Sequence, residues 1–132
     1  MYFILIEVKT KISPHQHNFE NISKHTILIS VDQEGGKVAR LKPKYGFDAF
    51  PSAKKISQTS SSQASKIYSN MSTMLHQNGI NCNFAPVVDL EINPDNKVIV
   101  GLERSFGCFL SRYALKTCAV IIISALLFLI KY

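Results

Sequence analysis

Asp32 closes the run Ile27-Leu28-Ile29-Ser30-Val31, and Asp89 closes Val87-Val88 downstream of a second apolar run from Ile80 to Phe84. An aspartate at a strand end can cap the turn that follows it. It can also accept hydrogen bonds from two neighbouring hydroxyls at once, the arrangement that sugars present. Such charge-assisted bonds are about twice as strong as neutral ones. Arg40 and Arg104 fall in loops near the same ends and offer the complementary fork of donors. Gln33-Glu34-Gly35-Gly36 follows Asp32 as a turn whose paired glycines permit positive φ. Types and spacing alone imply a polar, hydroxyl-suited rim and leave turn capping open for both aspartates.

Other chemistries are disfavoured. His15 and His17 stand two apart without a Cys, Asp or Glu at ligand spacing, so no metal site is expected. Cys82, Cys108 and Cys118 are odd in number and form no CxxC pair, which fits free thiols better than a disulfide framework. The chain carries a formal charge of +6 and a pI of about 9.3. Its basic residues are scattered and lack interleaved aromatics, so a solvated surface is expected and no nucleic-acid partner. Asn21-Ile22-Ser23 and Asn70-Met71-Ser72 match a glycosylation sequon too short to weigh.

The elements that must position the rim alternate. Residues 2–6, 27–31 and 80–84 read as strands. The 27–31 segment is apolar on both faces, as in a parallel sheet covered by helices. Ser13-Pro14 starts a short helix and Pro51-Ser52 a second helical region. The stripe Ala53, Ile56, then Ala64, Ile67, Met71 and Met74 is helical, with a break expected in the serine-rich stretch Ser57–Ser62. Asn78-Gly79 stops it, Asn93-Pro94-Asp95-Asn96 is a loop, and Ser111 onward is helical. This order predicts βα units and a parallel α/β sheet.

With 132 residues, 46% of them hydrophobic, the chain suits one small domain. It is too short for a whole (β/α)₈ barrel, which takes about 200 residues or more. Met1 to Ile6 lacks a basic leader region and meets Glu7 early, so no signal peptide is evident and the reading leans to the cytoplasm. Cys118 to Ile130 is apolar for 13 residues, against about 18 to 20 for a spanning helix.

The residues also carry a resemblance. Ile29-Ser30-Val31-Asp32-Gln33-Glu34-Gly35-Gly36-Lys37-Val38-Ala39-Arg40-Leu41 resembles the signature of family 3 glycoside hydrolases. Pro51-Ser52-Ala53, Gly79 to Asp89, Asn93 to Asn96 and Glu103-Arg104-Ser105-Phe106-Gly107 follow in the family's order. The resemblance covers roughly residues 3–116 and is nearest the β-N-acetylhexosaminidase branch. It implies the N-terminal half of a (β/α)₈ TIM-type barrel, with parallel strands and flanking helices, over 1–116. Residues 117–132 form an apolar tail foreign to the family.

It further implies retaining hydrolysis of β-N-acetylhexosaminides, with no cofactor. Asp32, Arg40 and Arg104 would line the sugar subsite, while Glu34 and Asp89 support the rim. In this branch a Lys-His strand end and a Gly-His-Gly loop supply a histidine acid/base after the Arg-Ser-Phe-Gly block, and a later strand end supplies an aspartate nucleophile. Neither follows here, since His15, His17, His25 and His76 all precede that point. No catalytic residue is therefore assigned, and an inactive fragment is expected. Two rivals stand beside it. One is a sugar-binding half barrel, alone or paired with a complementary half. The other is a membrane-associated fragment anchored through 109–130, which the shortness of the apolar run disfavours.

Overall fold

Ile27–Val31 contains three β-branched residues among five, and side chains branched at Cβ fit a pleated strand better than a helix. In the computed structural model, which describes residues 2–5 and 27–107, this segment is the central strand β2. Strand β1, Tyr2–Leu5, lies on one side and β3, Cys82–Asn83, on the other. Both pairings are parallel. Tyr2 faces Ile27 and Leu5 faces Ser30, while Ser30 and Val31 face Cys82 and Asn83. Ile29, Ser30 and Val31 are all buried, so β2 is covered on both faces, as its unbroken apolar run predicts.

The third strand is shorter than the expected 80–84, although its pairing reaches past its ends. The Asn81 amide donates to the Ile29 carbonyl at 3.1 Å and the Phe84 amide to the Val31 carbonyl at 2.9 Å. Two asparagine side chains complete the seam. Asn81 Oδ1 accepts from the Ile29 amide at 2.8 Å. Asn83 both accepts from and donates to the Gln33 backbone, each at 3.0 Å. Pairing through amide side chains is why a stretch poor in β-branched residues still holds its place beside β2.

The crossover from β2 to β3 holds a 3₁₀ turn at Pro43–Tyr45 and two helices, α1 at Ala53–Ile56 and α2 at Ser61–Gln77. Ser52 caps α1, one residue before its first turn. The break falls at 57–60, inside the serine-rich stretch. Ser60 then opens α2 with a capping box: it accepts from the Gln63 amide at 3.2 Å while Gln63 Oε1 accepts from the Ser60 amide at 3.1 Å. Ser61 and Ser62 continue as helix, so the serines that break one helix also start the next.

α2 packs Ala64, Tyr68, Met71, Met74 and Leu75 against Ile29, Val31, Leu41, Ile56 and Ile80. The buried stripe includes Tyr68 and Leu75, with Ile67 at its half-buried margin. The apolar face thus keeps Ala64, Met71 and Met74 as expected and is turned slightly away from Ile67. Gly79, with φ of 74°, ends the helix beside Asn78 as expected. Strands alternating with helices around a parallel sheet make this an α/β fold. The helices expected from Ser13-Pro14 and from Ser111, and the apolar tail, lie outside the described residues. Among the described residues no helix is long and apolar enough to cross a membrane.

Candidate functional site

Beyond Val31 the chain must turn sharply, and the turn is built around buried polar groups. Gln33 is 1% exposed. Its Oε1 accepts from the Arg40 amide at 2.9 Å and the Leu41 amide at 3.0 Å, while its Nε2 donates to the Leu41 carbonyl at 3.1 Å. One amide side chain therefore satisfies three backbone groups and ties the end of β2 to the returning strand of the loop. Gly35 and Gly36 have φ of 96° and 57°. A Cβ on Gly35 would lie 2.2 Å from the Pro51 carbonyl oxygen, and the Gly36 amide donates to Phe50 O at 2.8 Å. Glycine is required here both for the left-handed backbone and for the close approach of the chain leading into α1.

This turn aims the side chains on either side of it. Asp32 Oδ2 lies 3.7 Å from Arg40 Nη2, and both side chains are more than two-fifths exposed. Glu34 is different: it is 7% exposed and held by Arg104. Arg104 Nε donates to Glu34 Oε2 at 2.9 Å and Oε1 at 3.2 Å, and its Nη2 donates to Oε1 at 2.7 Å. The Glu34 hydrogen bonds push the Arg104 guanidinium above its ordinary pKa. Burial opposes this, and the charges of Glu34, Asp32 and Asp89 reinforce it. Arg104 therefore lies within the fields of three carboxylates, two that follow β2 directly and one, Asp89, in the loop beyond β3.

The loop that delivers Arg104 is fixed at several points. Asn96 Oδ1 accepts from the Val98 and Ile99 amides, and the Arg104 amide donates to Ile99 O at 2.9 Å. Glu103, at φ of 58°, accepts from Ser52 Oγ at 2.7 Å, and its carbonyl accepts from the Lys54 amide at 3.2 Å. Lys37 Nζ donates to Gly101 O at 3.1 Å. Ser105 is fully buried, and its hydroxyl donates to the Asp89 carbonyl at 2.7 Å, which holds the Asp89 segment beside Arg104. Asp89 itself is exposed.

The five residues singled out in the sequence thus lie at one end of the sheet, and the structure adds their pairing. Arg104 grips Glu34, while Arg40 alone lies within ion-pair distance of Asp32. Gln33, Asn83, Ser105 and the Ser52–Glu103 latch went unassigned from sequence. Each has a partner between 8 and 51 residues away, and all five residues stand inside motif blocks that the resemblance quoted without giving them a role. Among the described residues no group of three His, Cys, Asp or Glu side chains could hold a metal ion. A separate open cleft of about 340 Å³, bordered by Lys37, Lys42, Lys44, Asp48 and Phe50, includes none of Asp32, Arg40 or Arg104 in its walls.

Comparison with known proteins gives the family. Residues 7–126 match the model of the glycosyl hydrolase family 3 N terminal domain. The chain is 39% identical over 82 residues to beta-hexosaminidase LpqI of Mycobacterium tuberculosis, an overlap of 61% of this chain and 20% of that protein. It is 40% identical over 81 residues to beta-hexosaminidase A of Pseudoalteromonas piscicida, over 58% of this chain and 13% of the other. The solved structure of M. tuberculosis LpqI superposes with a TM-score of 0.69 at 31% identity, covering 89% of this chain and 35% of that one. The matched region is thus a fifth or less of the two curated relatives.

Proposed function

The chain belongs to the family of glycosyl hydrolase family 3 N-terminal domains, and on that premise we propose that its strand-end rim binds a terminal N-acetylhexosamine in the service of glycoside hydrolysis. The observation that carries this is the meeting of Asp32, Arg40, Arg104 and Asp89 at one end of a parallel sheet. Ligands of α/β folds sit at the carboxyl ends of the strands. Asp32 and Arg40 are exposed there and only loosely paired at 3.7 Å, so both remain able to meet hydroxyls. The two β-hexosaminidases that the chain resembles supply the sugar class. In this reading the parallel strands are the first part of a (β/α)₈ barrel, which the length superposed on LpqI supports.

Retaining hydrolysis needs a nucleophile on one face of the sugar and a proton donor at the leaving oxygen. The rim supplies binding and orientation, while no Lys-His or Gly-His-Gly block follows Gly107 within the 132 residues. These residues therefore act as the sugar-holding part of the machinery, and a complementary barrel half would bring the reaction centre. Saturation-transfer NMR of the chain with N-acetylglucosamine tests this. Transfer to the sugar ring protons is expected and should be lost in Asp32→Ala; a parent chain that gives no transfer refutes the reading.

A further inference from the structure

Of the five N–H bonds that a guanidinium carries, Arg104 commits the one on Nε and one on Nη2 to Glu34. Those on Nη1 and the second on Nη2 have no partner among the described residues. Glu34 is itself immobilised: it is 7% exposed, its amide donates to Val38 O at 3.1 Å, and the glycines that follow it lie against Pro51 and Ser52. The Arg104 backbone is pinned by Ile99, and its neighbour Glu103 is latched to Ser52. A long side chain with about 2 kcal/mol of rotamer entropy is thereby held at both ends.

We infer that Glu34 is a positioning residue: by gripping one edge of the Arg104 guanidinium it turns the Nη1 donors toward a ligand oxygen on the rim beside Asp32 and Asp89. This rests on the rim being a sugar site and adds how its second arginine is set. Nothing in the geometry has Glu34 touch the ligand, because its carboxylate oxygens already take all three Arg104 bonds and its side chain is enclosed. The charges agree. Asp32 and Asp89 act on the same guanidinium without hydrogen-bonding it, so its Nη1 donors stay uncommitted among the described residues. The pre-set fork lowers the entropy lost when a ligand hydroxyl is bound.

The experiment uses the full chain labelled with ¹⁵N-arginine, and the Arg104 Nε–H resonance is identified by its disappearance in Arg104→Lys. In the parent this proton is expected downfield and slow to exchange with water. In Glu34→Gln, which keeps the size but not the charge, it should move upfield and exchange at least several times faster. N-acetylglucosamine should bind about tenfold more weakly, the loss expected for one hydrogen bond to a charged group. Glu34→Asp keeps the charge and should recover part of both effects, whereas a merely structural role would leave Asp no better than Gln. An unchanged Nε–H signal in Glu34→Gln, or an altered signal with unchanged sugar binding, overturns the assignment. If the parent binds no N-acetylglucosamine, the rim reading fails and the ligand role of Nη1 with it, while the Nε–H signal still judges whether Glu34 sets the guanidinium.

Discussion

Arg40 and Arg104 carry the same charge at the same end of the sheet, yet their surroundings give them different energetic weight. Arg40 meets Asp32 at 3.7 Å with both side chains open to water, and pairs of that kind are worth about 0 to 1 kcal/mol. Arg104 is 22% exposed and holds a carboxylate that is 7% exposed. Removing one partner of a buried pair strands the other charge, at a cost of about 3 to 5 kcal/mol. Urea unfolding should therefore show Arg104→Ala destabilised by about 3 kcal/mol or more, and Arg40→Ala by less than about 1 kcal/mol. Equal losses would mean that the Glu34 pair is no better insulated than the Asp32 pair. Glu103 gives a pH dependence. Its carboxyl sits below the usual range, first because Ser52 donates to it; burial opposes, and Lys55, Lys37 and Lys54 add their attraction. The unfolded state thus binds more protons through the acid range. Its contribution is present above the ordinary glutamate value of about 4.3 and is lost as pH falls through the depressed one. Glu103→Gln should flatten the acid side of the stability profile below about pH 5 relative to the parent, and parallel profiles would exclude the latch.

Between β2 and α1 the chain doubles back against itself, and the paired glycines decide whether it can. Gly35→Ala must both place a Cβ 2.2 Å from Pro51 O and hold φ at 96°. Left-handed backbone costs an alanine about 1 kcal/mol and overpacking about 1 to 3 more, so the thermal midpoint should fall by several degrees. Since the turn aims Glu34, sugar binding should weaken in the same variant; a neutral outcome in both would show that the turn can relax without moving the rim. How far these elements could be read in advance depends on where their stabilising groups lie in the chain. β2 was legible to the residue because its preference and burial sit in its own five side chains. β3 was placed but overdrawn, since Asn81 and Asn83 bind across to β2 and pattern analysis sees them only as polar residues. The buried face of α2 was drawn through Ile67 when Tyr68 lies closer to its centre, because a tyrosine's ring can fill the core much as an aliphatic side chain does. Asp32, Glu34, Arg40, Asp89 and Arg104 were legible as members of the ordered motif blocks. The pairing of Glu34 with Arg104 was not, because the two stand 70 residues apart and only the fold brings them together.

At the scale of the whole molecule, binding and catalysis separate on the proposed reading. On that reading, contacts to sugar hydroxyls away from the cleaved bond would hold ground state and transition state alike, and uniform binding does not lower the chemical barrier. Acid–base assistance is worth about 10² to 10⁴ in rate, and a covalent nucleophile divides the remaining barrier into two smaller steps. Among the rim carboxylates, Glu34 is locked in three hydrogen bonds with Arg104, and Asp32 lies 3.7 Å from Arg40. All four histidines precede Gly107, ahead of the segment where the family resemblance places the acid/base. A polypeptide of these 132 residues should therefore bind N-acetylglucosamine yet release no aryl alcohol from an aryl β-N-acetylglucosaminide above the buffer rate, with Asp32→Ala as the control. Release by the parent that disappears in Asp32→Ala would put a reacting group on the rim itself, and Asp89, the most exposed of its carboxylates, would be the first to replace. Activity that appears only when a barrel half carrying the Gly-His-Gly loop is added would assign holding and reacting to separate parts of one fold.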